Sequence, residues 1–226
     1  MKSRQPGRPI FELFTPFFRI HVHQLIAKGH EKARSQIRPD SEEEDTTGYL
    51  YEAIKDYLCS DCPDWFLNYD IHNEAPFAGG ARTGRSRKEM DLVIVYTQFR
   101  GRPEYVLEAK PLNYNKKHQR ESNYTNKEAL QRFLKGEYAE YTSRFPEVAM
   151  LGYVLSDTPE IWRTRLKASI DKKKVDLRLR TEQYDIKVID DIPVEWVSEH
   201  NRDSSAVPLI VCHILLNCCE QNTTAS

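Results

Sequence analysis

Two short runs, residues 91–96 and 105–109, are apolar on both faces, and they constrain the fold of this 226-residue chain more than any other feature. In the first run, Leu92 and Ile94 point to one side of an extended chain and Val93 and Val95 to the other. Such strands are central ones covered by helices on both faces, because a half-exposed strand alternates apolar with polar residues. The chain is therefore expected to be α/β, with a central mixed β-sheet flanked by helices. Gly101 and Pro103 lie between the runs, and a turn near residues 99–101 makes them an antiparallel pair.

Helical patterns stand on either side of this pair. Thr15-Pro16 reads as the start of a helix over residues 15–29, with Phe18, Val22, Leu25 and Ile26 on one stripe and Gly29 at its end. His21 and His23, two apart beside that stripe, read as surface or boundary histidines. A second helix, opened by Pro39 or Ser41 and running to about Leu58, buries Thr47, Leu50, Tyr51, Ile54 and Leu58. Extending its stripe backwards reaches Glu43 and Glu44 and leaves Glu52 on the far side. Residues 65–71 have strand character, and residues 78–88 form a loop rich in glycine and arginine. Later, Thr125 and Glu128 suggest a capping box for a helix carrying Ala129, Leu130 and Phe133. A strand over 147–155, a basic amphipathic helix over 159–173, a strand pair within 175–189 and an apolar run over 207–216 follow. One domain is expected over 1–226, with its core at about 40–157 and a C-terminal elaboration, 158–226, that completes the sheet or widens a binding face.

The net charge of −1 hides an asymmetry. Residues 79–120 hold ten Lys/Arg against four Asp/Glu, and residues 160–180 hold eight against three. Two basic segments in an otherwise acidic chain are the footprint of a surface that meets a polyanion. Arg19, His21 and His23 interrupt the only N-terminal apolar stretch, so neither a signal nor a membrane span is expected there. The five cysteines have no framework spacing. Cys59 and Cys62 form a CxxC, but Cys212, His213, Cys218 and Cys219 lack zinc-ligand spacing, so free thiols in a reducing, cytoplasmic setting are expected. His213, inside an apolar run, reads as a hydrogen-bonded core histidine.

Chemistry concentrates where the apolar runs end. Glu108 and Lys110, two apart, share a strand face, and the expected hairpin brings Asp91 opposite Glu108 or its neighbour. Two carboxylates at the ends of buried strands are costly to desolvate, and a divalent cation is a natural compensation. A Glu-x-Lys triplet alone occurs by chance, so its context decides.

That context, an acid-bearing helix, a strand, a strand opening with Asp91, a strand ending Glu108-Ala109-Lys110, a helix and a strand, resembles the PD-(D/E)XK, or restriction-endonuclease-like, nuclease superfamily over residues 40–157. Met90 stands where the superfamily's name has proline. The resemblance implies that Asp91, Glu108 and the main-chain carbonyl of Ala109 bind Mg²⁺, for which Mn²⁺ substitutes. It further implies that Lys110 orients or helps deprotonate the attacking water and that Glu44 is the additional first-helix acid. Hydrolysis of DNA, or of RNA, to 5′-phosphate and 3′-hydroxyl ends would follow, with a homodimer or partner subunit as the other association expected. Superfamily members often place a polar or basic residue of the following helix over the site, which points to Gln131 and Lys135 unless they form a solvated face. Residues 132–138 and 198–202 are similar to segments of compact bacterial stand-alone nucleases, some of which defend against phage. His200 and Arg202 then become phosphate contacts, or members of a satisfied polar loop. Arg82, Arg85, Arg87 and Lys88 are the residues expected to read DNA, because arginine pairs bidentately with guanine. The alternative is a nucleic-acid-binding or effector protein that keeps the fold and does not cleave.

Overall fold

A computed structural model describes residues 10–60, 62–76, 89–98, 102–135, 145–202, 205 and 207–219. The described strands form one seven-stranded mixed sheet, and their order follows from two apolar hairpins joined by parallel crossovers. β1 (Tyr69–Pro76), β2 (Glu89–Tyr96) and β3 (Glu104–Leu112) form an antiparallel meander. β4 (Glu147–Val154) lies parallel to β3, and β7 (Leu209–Asn217) lies parallel to β4. β6 (Val194–His200) and the short β5 (Tyr184–Ile186) then extend the sheet antiparallel, giving the order β1-β2-β3-β4-β7-β6-β5. The C-terminal segment thus builds three of the strands.

Period-two alternation divides the core into two layers. Leu92, Ile94, Leu107, Ala109 and Leu151 face one cluster, formed with α1 (Ile10–Ala33) and α2 (Glu43–Ser60). Val93, Val95, Val106, Val148 and Met150 face the other, with α3 (Glu121–Tyr124), α4 (Leu130–Leu134) and α5 (Pro159–Lys172). Both faces of β2, β3 and β4 are covered, as runs without polar alternation require. No helix among the described residues is long and apolar enough to cross a membrane.

Several local expectations are corrected. α1 does not begin at Thr15 or end at Gly29 but runs through both, with Pro16 inside it. Gly29 serves the packing instead: a Cβ there would run into Ile54 and Leu50, so the missing side chain lets α1 approach α2. The stripe of Phe18, Val22, Leu25 and Ile26 is fully buried, and so is His23, whose Nδ1 pairs with the buried carboxylate of Glu195. Residues 64–68 form a 3₁₀ turn rather than strand, and β1 begins only at Tyr69. Thr125 does not open a helix as an N-cap but closes α3 as its C-cap, its hydroxyl donating to the carbonyl of Glu121, and α4 begins after Ala129. Of the strand pair expected within 175–189, β5 and an isolated bridge from Leu179 to His200 are formed, and their partner strand is β6. All five cysteines are free thiols.

A charged clamp joins α1 to the sheet. Arg19 grips both oxygens of Glu147, with Nε donating to Oε1 at 2.6 Å and Nη2 donating to Oε2. The Tyr105 hydroxyl donates to the same Oε1 at 2.9 Å. Glu147 is 1% exposed at the start of β4, so these donors replace the water it has lost.

Candidate active site

The register of β2 on β3 runs from Val95 opposite Glu104 to Leu92 opposite Leu107, so the next step brings Asp91 across from Glu108. There the ladder changes character. Asp91 Oδ2 accepts the amide hydrogen of Ala109 at 2.7 Å, which fixes this carboxylate against the strand beside Glu108. Alternation then puts Glu108 and Lys110 on the same face of β3.

The Lys110 ammonium stands among three carboxylates. Its Nζ lies 2.5 Å from Glu43 Oε1, 3.2 Å from Glu108 Oε1 and 3.9 Å from Asp91 Oδ2. Arg132 Nη1 of α4 donates to the same Glu108 Oε1 at 2.8 Å. Among the described residues, three carboxyl groups and two cations therefore meet near the end of β3. Beside Lys110 in the register is Gly152, where a Cβ would run into Leu112 and Leu215, so this end of β3 and β4 is tightly filled.

Burial sets the electrostatics. Glu108 is 1% exposed, and desolvation, reinforced by Asp91, pushes its carboxyl up to about 7 against the pull of Lys110 and Arg132. Burial also raises Glu43, against the attraction of Lys110. For Lys110 burial works downwards, but Glu108, Asp91 and Glu43 outweigh it and the amine is held above its ordinary range. It is an ammonium here, a donor and a positive charge.

Asp91, Glu108 and Glu43 supply carboxylate oxygens of the hard type that Mg²⁺ takes, and the Ala109 carbonyl is next to them in sequence. As the side chains stand, the carboxylates close on Lys110, and no group of three or more His, Cys, Asp or Glu among the described residues is arranged to hold a metal ion. The donor chemistry fits a divalent cation, and an ammonium supplies the compensating charge in its place.

The structure brings Asp91, Glu108, Ala109 and Lys110 together and separates others from them. Glu44 is exposed, and its neighbour Glu43 is the first-helix acid that reaches Lys110; Glu52 is exposed as well. Gln131 is half-buried and donates to the carbonyl of Thr125, while Lys135 is exposed just past the five-residue α4. His200 and Arg202 are not available to a phosphate. His200 is fully buried between Ser198 Oγ and the carbonyl of Leu177, each at 2.7 Å, and Arg202, 8% exposed, donates through Nε and Nη2 to the carbonyl of Val207. His213 belongs to the same buried chain, bonded to Ser198 Oγ and the Tyr124 hydroxyl. Because Leu177 can only accept, neutral His200 must donate from Nδ1. Ser198 then donates to His200 Nε2, and His213 donates to Ser198. Arg82, Arg85, Arg87 and Lys88 lie outside the described residues, as does the expected turn at 99–101.

Arg132 is the functional candidate that sequence reasoning passed over. A long helix was expected there, on which Gln131 and Lys135 share a face, whereas the short α4 directs Arg132 to Glu108. Comparison with family models, with curated proteins and with solved structures finds no match for this chain.

Proposed function

We propose that the chain is a Mg²⁺-dependent nuclease that hydrolyses DNA phosphodiester bonds at the Asp91, Glu108 and Lys110 cluster, on a restriction-endonuclease-like core of the PD-(D/E)XK type. The observation that carries the reading is the enclosure of one ammonium by three carboxylates at the end of a buried strand. Asp91, Glu108, Glu43 and the Ala109 carbonyl would hold the cation. A bound Mg²⁺ offsets phosphate charge and makes a coordinated water more acidic.

This chain's residues define the remaining roles. Lys110, protonated in its carboxylate nest, donates to the attacking water and places positive charge beside the phosphorane. Arg132 holds Glu108 in position through the same oxygen that Lys110 contacts. Water attacks phosphorus in line and releases a proton to solvent, the bond to the 3′-oxygen breaks, and that oxygen takes up a proton from solvent as the hydroxyl product. The charged enclosure also has a non-catalytic counterpart: Glu108 already pairs with Lys110 and Arg132, which favours, as a second reading, a closed ion cluster that stabilises a DNA-binding protein.

The test is incubation with supercoiled plasmid and linear DNA in Mg²⁺, in Mn²⁺ and in EDTA. Metal-dependent nicking or linearisation that EDTA abolishes, leaving 5′-phosphate ends, is the expected outcome. Intact DNA under both metals, with DNA retained by the protein and unaffected by Asp91→Ala, would establish the second reading in its place.

A further inference from the structure

Directly after the cluster, the chain leaves β3 through a basic loop with an exposed aromatic ring. From Asn113 to Arg120 it carries Lys116, Lys117 and Arg120 and no acid. Tyr114 is 47% exposed, yet it is pinned: its amide donates to Ser156 Oγ at 2.8 Å and its carbonyl accepts from Arg120 Nε at 3.2 Å. Two guanidiniums lie over its ring, the Arg120 Cζ at 4.9 Å and the Arg165 Cζ at 4.4 Å from the centroid. Arg165 is itself fixed by Asp157 at 2.7 Å. Lys116 donates to the carbonyl of Asp40 and lies 3.7 Å from Glu42, which ties the loop to the approach of α2 and so to Glu43.

An exposed tyrosine held by its backbone, with two fixed guanidiniums over its ring on which a base can stack as it does on an aromatic face, and an exposed Lys117 beside it, has the makings of a base-stacking platform with phosphate contacts. Duplex DNA keeps its bases stacked on one another, so a ring of this kind gains a partner only from an unpaired base. Tyr114 follows Lys110 by four steps along the chain, at most about 14 Å of extended backbone, so the ring lies close to the cluster. We infer that Tyr114, Lys117, Arg120 and Arg165 form a docking surface for an unpaired DNA segment, which makes DNA with a single-stranded region the substrate class of the cluster. The inference rests on the nuclease reading for the word substrate, but the platform itself is measured without cleavage.

The experiment is fluorescence anisotropy with labelled oligothymidylate and a blunt duplex of equal length, in EDTA. Tyr114→Ala is expected to weaken oligothymidylate binding by about 5- to 100-fold and to leave duplex binding unchanged, while Tyr114→Phe stays within about twofold of wild type. Lys117→Ala should reduce the slope of log affinity against log salt by about 0.7. Wild-type protein that does not bind oligothymidylate, equal affinity of wild type and Tyr114→Ala, or an equal loss on the duplex would overturn the platform. Binding that depends on Tyr114 in a protein that cuts no DNA would sink the nuclease reading and leave the platform standing. Metal-dependent cleavage by Tyr114→Ala at the wild-type rate, on both paired and single-stranded DNA, would sink the platform alone.

Discussion

Lys110→Ala protein is expected to lose DNA cleavage by about 10²- to 10⁴-fold while remaining folded and able to bind DNA. The substitution removes an ammonium that faces Glu43, Glu108 and Asp91, and with it the donor assigned to the attacking water. It also takes away part of the charge that compensates those carboxylates, so the variant should melt lower than wild type in EDTA and recover when Mg²⁺ is added. Asp91→Ala should lose cleavage without that recovery, because it removes a proposed cation ligand and the acceptor of the Ala109 amide. Initial rates on plasmid DNA, together with thermal unfolding in both media, separate the cases. Wild-type cleavage by folded Lys110→Ala would return the Glu-x-Lys triplet to a chance match.

The second large effect is on stability, at the clamp between α1 and the sheet. Arg19→Met leaves Glu147, 1% exposed, with the Tyr105 hydroxyl but without its cation. Removing one partner of a buried ion pair costs about 3–5 kcal/mol, which for a chain of this size lowers the melting temperature by roughly 6–20 °C. Adding Glu147→Gln removes the buried charge and keeps an acceptor for Tyr105, so the double variant should be more stable than Arg19→Met alone. Equal melting of wild type and Arg19→Met would show that the clamp contributes nothing.

Legibility in the sequence followed the range of the interactions. Leu92 to Val95 could be read as central strand because burial on both faces is written locally, and the same pattern placed Asp91 opposite Glu108 or its neighbour. Glu43 and Glu44 could not be separated so simply. Successive helix residues differ by about 100° of rotation, so a small error in the phase of the first turn exchanges one for the other. β6 was missed because Glu195 and Glu199 interrupt its apolar pattern, yet Val194, Trp196, Ser198 and His200 all lie buried on its alternate positions. The partner that makes burial of Glu195 tolerable is His23, 172 residues away, and no local pattern reports it. The polar run around His200 read either as phosphate contacts or as a satisfied polar loop, and the structure shows its groups satisfying one another inside the core, on a strand.

The central claim is that the carboxylates around Lys110 form a divalent-cation site, and Mn²⁺ binding followed by electron paramagnetic resonance tests it without DNA. Wild type is expected to bind Mn²⁺ competitively with Mg²⁺, Lys110→Ala to bind it more tightly because the competing ammonium is gone, and Asp91→Ala to lose it. Wild-type protein that binds no Mn²⁺ at millimolar concentration, or Asp91→Ala that binds it as well as wild type does, would contradict the claim.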